Sequence, residues 1–276
     1  MRTIAPMNLP DDVPASLSAR PLFEPIAPWL ARFATPGVPS PSELGALLAD
    51  VAPDTRSGGG APIRFAPPSG ETDGYEAHIF ATGEVPTRPG DWHDFFNALA
   101  WCAWPRSKAR CNRLHLAEIE TRLEASLPGR GPVRDALTQF DECGIVVVSS
   151  DPKIPALLAA HEWEEAFWRR RQTLSGSTRF LVFGHGTWDQ LRAPFLGLCA
   201  KALYRAVAPD WHNLDAATRL ADTDAWLERH LTEPPHRISP RAFSPLPLLG
   251  IPGVTPDSES PGYYRDTRQF RPLRRS

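Results

Sequence analysis

Proline sets the first limit on how this chain of 276 residues folds, because its 31 prolines are unevenly distributed. Thirteen of them fall in residues 1–70 and nine in residues 232–276, which leaves nine for the long middle section. Proline lacks a backbone N–H and clashes with the preceding helical turn, so proline-rich segments rarely form regular elements. The distribution therefore predicts extended ends around a regular core.

The chain has enough apolar residues to bury a core, since 42% of its residues are hydrophobic. Its length suits one large domain or two small ones. Visible repeats are absent from the sequence, and no linker divides the middle section. We expect a disordered or extended segment over residues 1–20 and a single globular domain over residues 21–272.

Helix and strand signals alternate along this domain. "SPSELGALLADVA" predicts a helix with Ser40 as its N-cap and Glu43 closing a capping box. "IVVVSS" and "RFLVFG" are continuous apolar runs that are typical of strands buried on both faces. "PIRFAP" and "YEAHIFA" predict two shorter strands, arranged as a hairpin. Further helices are expected over residues 91–104, 106–126, 131–143, 151–172, 187–194 and 214–231.

The predicted fold class is α+β: a helix-rich single domain with a small sheet covered by helices and extended proline-rich ends. Neither buried run is followed by a glycine-rich phosphate loop, which disfavours the nucleotide-binding folds. The apolar segment "LPLLGIPGV" near the C-terminus is too hydrophobic for a free linker. We expect it to pack against the core.

Charge and cysteine usage exclude other classes of protein. The formal net charge of -2 argues against a dedicated nucleic-acid binder. No apolar run is long enough for a signal peptide or a membrane span. The four cysteines form no C-x-x-C pair, and we expect them to be free, buried and cytosolic. These features predict a soluble cytoplasmic protein without a nucleic-acid partner.

The stretch "DWHDFFNALAWCAWPRSKARCNRLH", residues 91–115, places polar side chains among tryptophans. Asp91 is a good N-cap for the first of its two helices. His93 and Asn97 lie on one side of that helix together with Trp101, so this side is not a normal solvent face. A buried imidazole or carboxamide must find hydrogen-bond partners, or folding loses about 1–3 kcal/mol for each.

The second helix of this stretch carries a matching polar set. Lys108, Asn112 and His115 fall on or beside its apolar face. That face is predicted to consist of Leu116, Ile119, Leu123 and Leu127. Two interpretations stay open. The polar side chains form a structural network that ties the two helices together, or they line a pocket in which histidines serve as base, ligand or hydrogen-bond donor.

Further candidates flank the two buried strands. "RDALTQFDECG" places Arg134 and Asp141 on the helix before the first strand, and His185 follows the second strand between Gly184 and Gly186. Residues just beyond strand ends often line ligand crevices, and glycine lets backbones approach closely. No short spacing of metal ligands is present, so we expect neither a metal ion nor a cofactor.

Four blocks of the sequence occur in the order found in a known family. They are "DWHDFFNALAWCAWPRSKARCNRLH", "RDALTQFDECGIVVVSS", "FLVFGHG" with "LGLCAKAL", and "PLPLLGIPG" with "YYRDTRQFRP". The chain resembles the bacterial domain of unknown function family 3025 from about residue 21 to residue 272. The family pattern often carries two aromatics and an asparagine where this chain has "VTPDS". The resemblance implies a cytosolic bacterial protein of one domain with no established activity, and it supplies no catalytic residues.

Three functions are consistent with these residues. We favour a non-catalytic module whose pocket binds a small anionic ligand. The second is a hydrolase, with or without a metal ion, that uses His93 or His115 as general base and Asp141 or Asp94 to orient it. The third is a scaffold whose proline-rich ends bind a partner chain. The predicted ligand contacts are Asn97, Lys108, Asn112, Arg134 and His185, and the predicted catalytic residues are His93, His115 and Asp141.

Overall fold

A small mixed sheet surrounded by helices organises the part of the chain that the computed structural model describes, residues 12–70, 74–232 and 238–273. Its helices and strands, in chain order, are α1 (Ala27–Leu30), α2 (Pro41–Val51), β1 (Arg64–Ala66), α3 (Tyr75–Thr82), β2 (Glu84–Pro86), α4 (Trp92–Ala103), α5 (Pro105–Glu124), α6 (Gly131–Cys143), β3 (Gly144–Ser149), α7 (Lys153–Ala159), α8 (Arg171–Ser177), β4 (Thr178–Val182), α9 (His185–Arg192), β5 (Cys199–Ala206), α10 (Ala216–His230) and β6 (Ser244–Pro247). The predicted α+β class is confirmed.

The main sheet has the strand order β4-β3-β5-β6. β3 runs parallel to β5 and antiparallel to β4, so that Val147 lies opposite both Tyr204 and Phe180. β6 closes one edge by pairing antiparallel with β5. All six residues of β3 are buried, as a continuous apolar run predicts for a strand covered on both faces.

Helices α4, α5, α6 and α9 pack against one another beside this sheet. Trp101, Trp104 and Trp188 are almost fully buried between these elements. The indole N–H of Trp104 donates to the carbonyl of Val182 at 3.0 Å, and that of Trp188 donates to the carbonyl of Leu22 at 3.0 Å. Two of the three buried indoles are therefore hydrogen-bonded to the backbone, as a large amphipathic ring requires.

The predicted helix starts are confirmed where side chains cap them. Ser40 and Glu43 form the reciprocal capping box of α2. Asp91 caps α4 by accepting a hydrogen bond from the backbone N–H of Asp94. Side-chain capping is a local interaction, and for this reason sequence reasoning located both helix starts correctly.

The predicted hairpin of "PIRFAP" and "YEAHIFA" is wrong in its second half. Residues 75–82 form α3, which ends at Gly83 in the left-handed conformation and packs against α5. β1 pairs instead with β2, and the two strands are parallel. Tyr, Ile and Phe favour strands only weakly, and packing against α5 outweighs that preference.

Three other elements differ from the prediction. β5 was not predicted at all, although it pairs with both β3 and β6. The helix expected over residues 151–172 is interrupted after α7, where His161 has a φ of 59°, and continues as a π-helical turn, Glu164–Arg169. Leu123 and Leu127, predicted to face inward, are 73% and 52% exposed, because the end of α5 extends past the core and Leu127 lies beyond the helix.

The two ends of the described chain form turns and buried segments, whereas extended ends were expected. The turn Pro14–Leu17 buries Leu17, whereas residues 1–11 of the predicted disordered or extended segment lie outside the described residues. Near the C-terminus, Leu246 and Leu248 are fully buried, which confirms that this apolar segment packs against the core.

The four cysteines are free, as predicted. Cys102 and Cys111 are buried, but Cys199 is exposed, so the expectation of burial was wrong for this residue. Within the described ranges, none of the helices has both the length and the hydrophobicity needed to cross a lipid bilayer.

Candidate functional site

Three segments that are distant in sequence meet where α6 ends. His93 lies in the first turn of α4, immediately after the capped start of that helix. Glu142 lies in the last turn of α6, two residues before the chain enters β3 at Gly144. His185 begins α9, directly after the chain leaves β4. Helix ends and strand ends thus bring three ionisable side chains to one side of the sheet.

The glycines beside His185 explain how it comes so close to α6. A Cβ atom on Gly184 would lie 2.5 Å from backbone atoms of Cys143 and Glu142, and one on Gly186 would overlap the Glu142 carboxylate. Only a residue without a side chain permits this approach. The sequence Gly-His-Gly therefore places His185 against Glu142, in agreement with the close backbone approach expected at these glycines.

We call His93, Glu142 and His185 the histidine–glutamate trio. The Nε2 atoms of the two histidines are 3.1 Å apart. Oε1 of Glu142 lies 3.7 Å from Nε2 of His93 and 3.6 Å from Nε2 of His185. Each residue thus offers one ligand atom, and these atoms all lie within 4.8 Å of one another.

These distances suit a single small divalent ion. Zinc ligands at about 2.0–2.1 Å in a tetrahedral site are separated from one another by about 3.3 Å. The side chain of His185 is only 5% exposed, whereas those of His93 and Glu142 are 37% and 40% exposed. The trio is therefore enclosed on one side and open on the other, which is the arrangement that leaves a coordination position for water or substrate.

Burial keeps the inner histidine neutral. It lowers the pKa of His185 to about 3, despite the nearby carboxylate of Asp141. A neutral imidazole is the form that binds a metal ion. Burial also raises the pKa of Glu142, although His93 acts in the opposite direction.

Asp141 connects the trio to a buried lysine. Its Oδ2 lies 3.6 Å from Nδ1 of His185, and its Oδ1 accepts a hydrogen bond of 2.6 Å from Nζ of Lys108. Burial opposes ionisation of Asp141, but the charge of Lys108 and its hydrogen bond hold the pKa of Asp141 below the usual value. Asp141 is therefore an anion that faces the far side of the His185 ring.

Lys108 is itself almost fully paired. Besides Asp141, its ammonium donates to Oδ1 of Asn97 at 3.0 Å. The amide of Asn97 in turn donates to the hydroxyl of Tyr75 at 2.7 Å. This chain of hydrogen bonds fixes the orientation of Asp141, and through it the ring of His185.

A pocket of about 570 Å³ opens in front of the trio. It is lined by the trio itself and by α3, α4, α5 and α6. Of the predicted site residues, the structure places in this lining His93, Asn97, His115, Arg134, Asp141 and His185. An open pocket that holds three histidines favours a ligand-binding or catalytic role over a purely structural network.

Lys108 and Asn112 lie behind this lining rather than in it. They border a smaller adjoining cavity between α3 and α5. Oδ1 of Asn112 accepts from the backbone N–H of Gly58 at 3.0 Å, and its amide donates to the backbone and carboxylate oxygens of Glu76. Asn112 is therefore a structural residue in this geometry, with each side-chain heteroatom paired.

His115 lies deeper than the trio. It is 3% exposed, and its Nε2 is 3.9 Å from Oε1 of Glu76. Its Nδ1 is buried without a hydrogen-bond partner among the described residues. Burial lowers the pKa of His115, so its imidazole is neutral near pH 7.

Sequence reasoning missed several residues of the pocket. Glu142 was not among the predicted site residues, and its neighbour Asp141 was chosen instead. Tyr75 and Glu76 were overlooked because their segment was predicted as a strand. The available signal for Glu142 was the Gly-His-Gly sequence after the buried strand β4. In the structure this sequence packs against the end of α6, which precedes the neighbouring strand β3.

Comparison with known proteins identifies the family of this chain. The family described as "Protein of unknown function (DUF3025)" matches residues 63–274, and the chain belongs to it. The match begins later than the resemblance predicted from the sequence. No curated protein and no solved structure shows significant similarity to the chain.

Proposed function

We propose that this protein is a metal-dependent hydrolase whose divalent ion is held by the histidine–glutamate trio. The observation that carries the proposal is the convergence of His93, Glu142 and His185 from three separate elements, with Nε2 atoms 3.1 Å apart. Two imidazoles and one carboxylate are a common ligand set of catalytic zinc. Their position on the wall of an open pocket favours a catalytic site over a closed structural one.

The ion would supply Lewis-acid chemistry, which polarises a substrate oxygen and lowers the pKa of bound water. The remaining residues have distinct roles. Asp141 holds the ring of His185 from its Nδ1 side, 3.6 Å away. His115, neutral and adjacent to Glu76, is the proton acceptor in this proposal.

This proposal changes three expectations from the sequence. No metal ion was expected, because the three ligands have no short spacing in the chain. His93 was expected to act as a general base, and we now assign it to the metal instead. A non-catalytic binding module was favoured over a hydrolase, and the trio reverses that order.

Metal binding is the first test. Protein purified without nickel resin and stripped with a chelator is titrated with zinc against a chromogenic competitor. We expect about one equivalent to bind, with affinity reduced by about 100-fold in His93→Ala, His185→Ala and Glu142→Gln.

His78→Ala is the matched control for this titration, because His78 also lies beside a glutamate, 3.3 Å from Glu84, but outside the pocket. Parent and control should bind zinc equally. Zinc binding that is absent from the parent, or that survives all three substitutions, would show that the two imidazoles only hydrogen-bond to each other.

Turnover is the second test. The zinc-loaded protein is assayed with chromogenic esters, amides and phosphate esters. We expect hydrolysis of one of these classes, its loss in Glu142→Gln, and a drop in kcat of about tenfold or more in His115→Gln with zinc content unchanged. A zinc-loaded protein that hydrolyses none of them would reject the hydrolase and leave the metal site standing.

We further propose that the protein acts in the bacterial cytoplasm. Four unpaired cysteines support this location, because thiols stay reduced in the cytosol. The exposed thiol of Cys199 should react in intact cells with a membrane-permeant maleimide and not with an impermeant one. Labelling by both reagents would contradict the proposed location.

A further inference from the structure

α6 presents a second functional group on the same face as Glu142. Arg134 and Thr138 lie eight and four residues before Glu142, and all three line the pocket. Positions four residues apart share one face of a helix. Arg134 therefore enters the pocket about 12 Å along the α6 axis from Glu142.

Arg134 differs from its neighbours in having no hydrogen-bond or ion-pair partner among the described residues. Arg88 binds the carboxylate of Asp94 through two hydrogen bonds of 2.8 and 2.9 Å, and Arg130 donates to the hydroxyl of Thr138 at 2.6 Å. Among the residues described by the structure, no carboxylate forms an ion pair with Arg134, and its buried Nε has no hydrogen-bond partner. Leaving a buried donor unpaired costs about 1–3 kcal/mol, so such a group commonly awaits a ligand.

The charges of the pocket also leave Arg134 available. Asp94 is held by Arg88, and Asp141 is held by Lys108. Glu142 would be neutralised by a divalent ion. The Glu76 carboxylate, which also lines the pocket, accepts a hydrogen bond from Asn112. Among the residues that the structure describes, the guanidinium of Arg134 then remains without a paired carboxylate, and it suits planar oxyanions through two parallel hydrogen bonds.

The opposite wall of the pocket is apolar. Leu116 and Ile119 of α5 line this part of the pocket. A volume of about 570 Å³ suits a small molecule. The pocket therefore combines one cationic end, one apolar wall and the trio.

We propose that Arg134 binds the carboxylate or phosphate of a small substrate whose apolar body lies against Leu116 and Ile119. The position of the reacting bond at the trio rests on the proposed hydrolase function. The contact with the anion does not, since Arg134 has no paired carboxylate within the described part of the chain, and this holds whether or not a metal ion is bound.

The test uses chelator-treated, metal-free protein, which separates Arg134 from the trio. Binding of benzoate, phenyl phosphate and the neutral isostere benzamide is measured by calorimetry. We expect at least one of the two anions to bind the parent, benzamide to bind at least tenfold more weakly, and Arg134→Gln to lose about tenfold or more of the anion affinity.

Two further variants make the result specific. Arg113→Gln removes an exposed arginine of α5 outside the pocket lining, and it should bind the anions as the parent does. Arg134→Lys keeps the positive charge but loses the planar guanidinium that donates two parallel hydrogen bonds. Its affinity for the anions should lie between those of the parent and Arg134→Gln.

The outcomes separate this inference from the hydrolase. Two outcomes would overturn the role of Arg134 alone. In one, the parent and Arg134→Gln bind the anions equally well; in the other, the parent binds zinc but neither anion. Anion binding that depends on Arg134 in a protein that binds no zinc would overturn the hydrolase alone. If phenyl phosphate binds and benzoate does not, the substrate is a phosphate ester rather than a carboxylate.

Discussion

Two groups of buried polar side chains lie close together in this protein and differ in how completely they are paired. In the Asn112 cluster (Gly58, Glu76 and Asn112), the amide makes hydrogen bonds of 3.0, 2.9 and 2.7 Å. In the histidine–glutamate trio, two Nε2 atoms face each other at 3.1 Å, and Oε1 of Glu142 lies 3.7 and 3.6 Å from them, too far for a hydrogen bond to either.

The difference in hydrogen bonding indicates which group stabilises the fold and which group binds a ligand. A fully paired cluster lowers the free energy of the folded state and fixes how helices pack. An incompletely paired one is costly in the protein alone, and the cost is removed when a ligand supplies the missing partner. We therefore assign the Asn112 cluster to the fold and the trio to a ligand.

The largest effect should come from the paired cluster. Asn112→Ala leaves the N–H of Gly58 without its partner and removes the hydrogen bonds to Glu76, and we expect it to lower the free energy of unfolding by about 2–3 kcal/mol. Urea melts of parent and variant measure this loss. Zinc binding by the folded variant should be unchanged. A variant as stable as the parent would remove the basis for assigning this cluster to the fold.

A second paired group tests the comparison through pH. Asp224 of α10 accepts hydrogen bonds from the backbone N–H groups of Arg106 and Ser107 at 3.0 and 2.9 Å, at the start of α5. Burial raises its pKa from 3.8 to about 6. Protonation of Asp224 therefore favours the folded state, and its contribution is complete below pH 3.8 and lost as the pH rises through 6.

We accordingly expect Asp224→Ala to cost about 1 kcal/mol more of the unfolding free energy at pH 5 than at pH 7.5. Paired urea melts of parent and variant at the two pH values give this difference directly. A cost that is equal at both values, or larger at pH 7.5, would show that Asp224 titrates normally in the folded protein.

The smallest effect on stability should come from the trio. Glu142→Gln removes a carboxylate whose pKa is raised by burial, so we expect the metal-free variant to match the parent within about 0.5 kcal/mol, or to exceed it slightly. Added zinc should raise the melting temperature of the parent and not that of the variant. A clear loss of stability without zinc would place Glu142 among the residues that hold the fold.

Local sequence signals predicted much of the helical framework. The capped starts of α2 and α4, and the apolar runs of β3 and β4, depend on neighbouring residues and were predicted close to their observed bounds. β5 was missed because its residues alternate less clearly, and its pairing with β3 and β6 is a long-range property. α3 was mistaken for a strand because its packing against α5 is equally invisible in the sequence.

The site was predicted in its members but not in its arrangement. His93 and His185 were both candidates, yet 92 residues separate them, and their meeting depends on how α4 and α9 pack. Glu142 was passed over because nothing in the chain distinguishes it from Asp141. Asp141 and Glu142 differ by one position on α6, so the carboxylate of Glu142 points to the pocket opening and that of Asp141 points to Lys108.

The edge strand β6 bears on the behaviour of the molecule at high concentration. The N–H of Leu248, just after this strand, donates to the carbonyl of Leu198 beside β5 at 3.1 Å. Because N–H groups alternate in direction along a strand, the nitrogens of Pro245 and Pro247 face away from β5. Proline has no N–H, so the free edge lacks donors at both positions. A strand from a second molecule would find no N–H donors at these two positions, which disfavours edge-to-edge pairing at the β6 edge of the sheet.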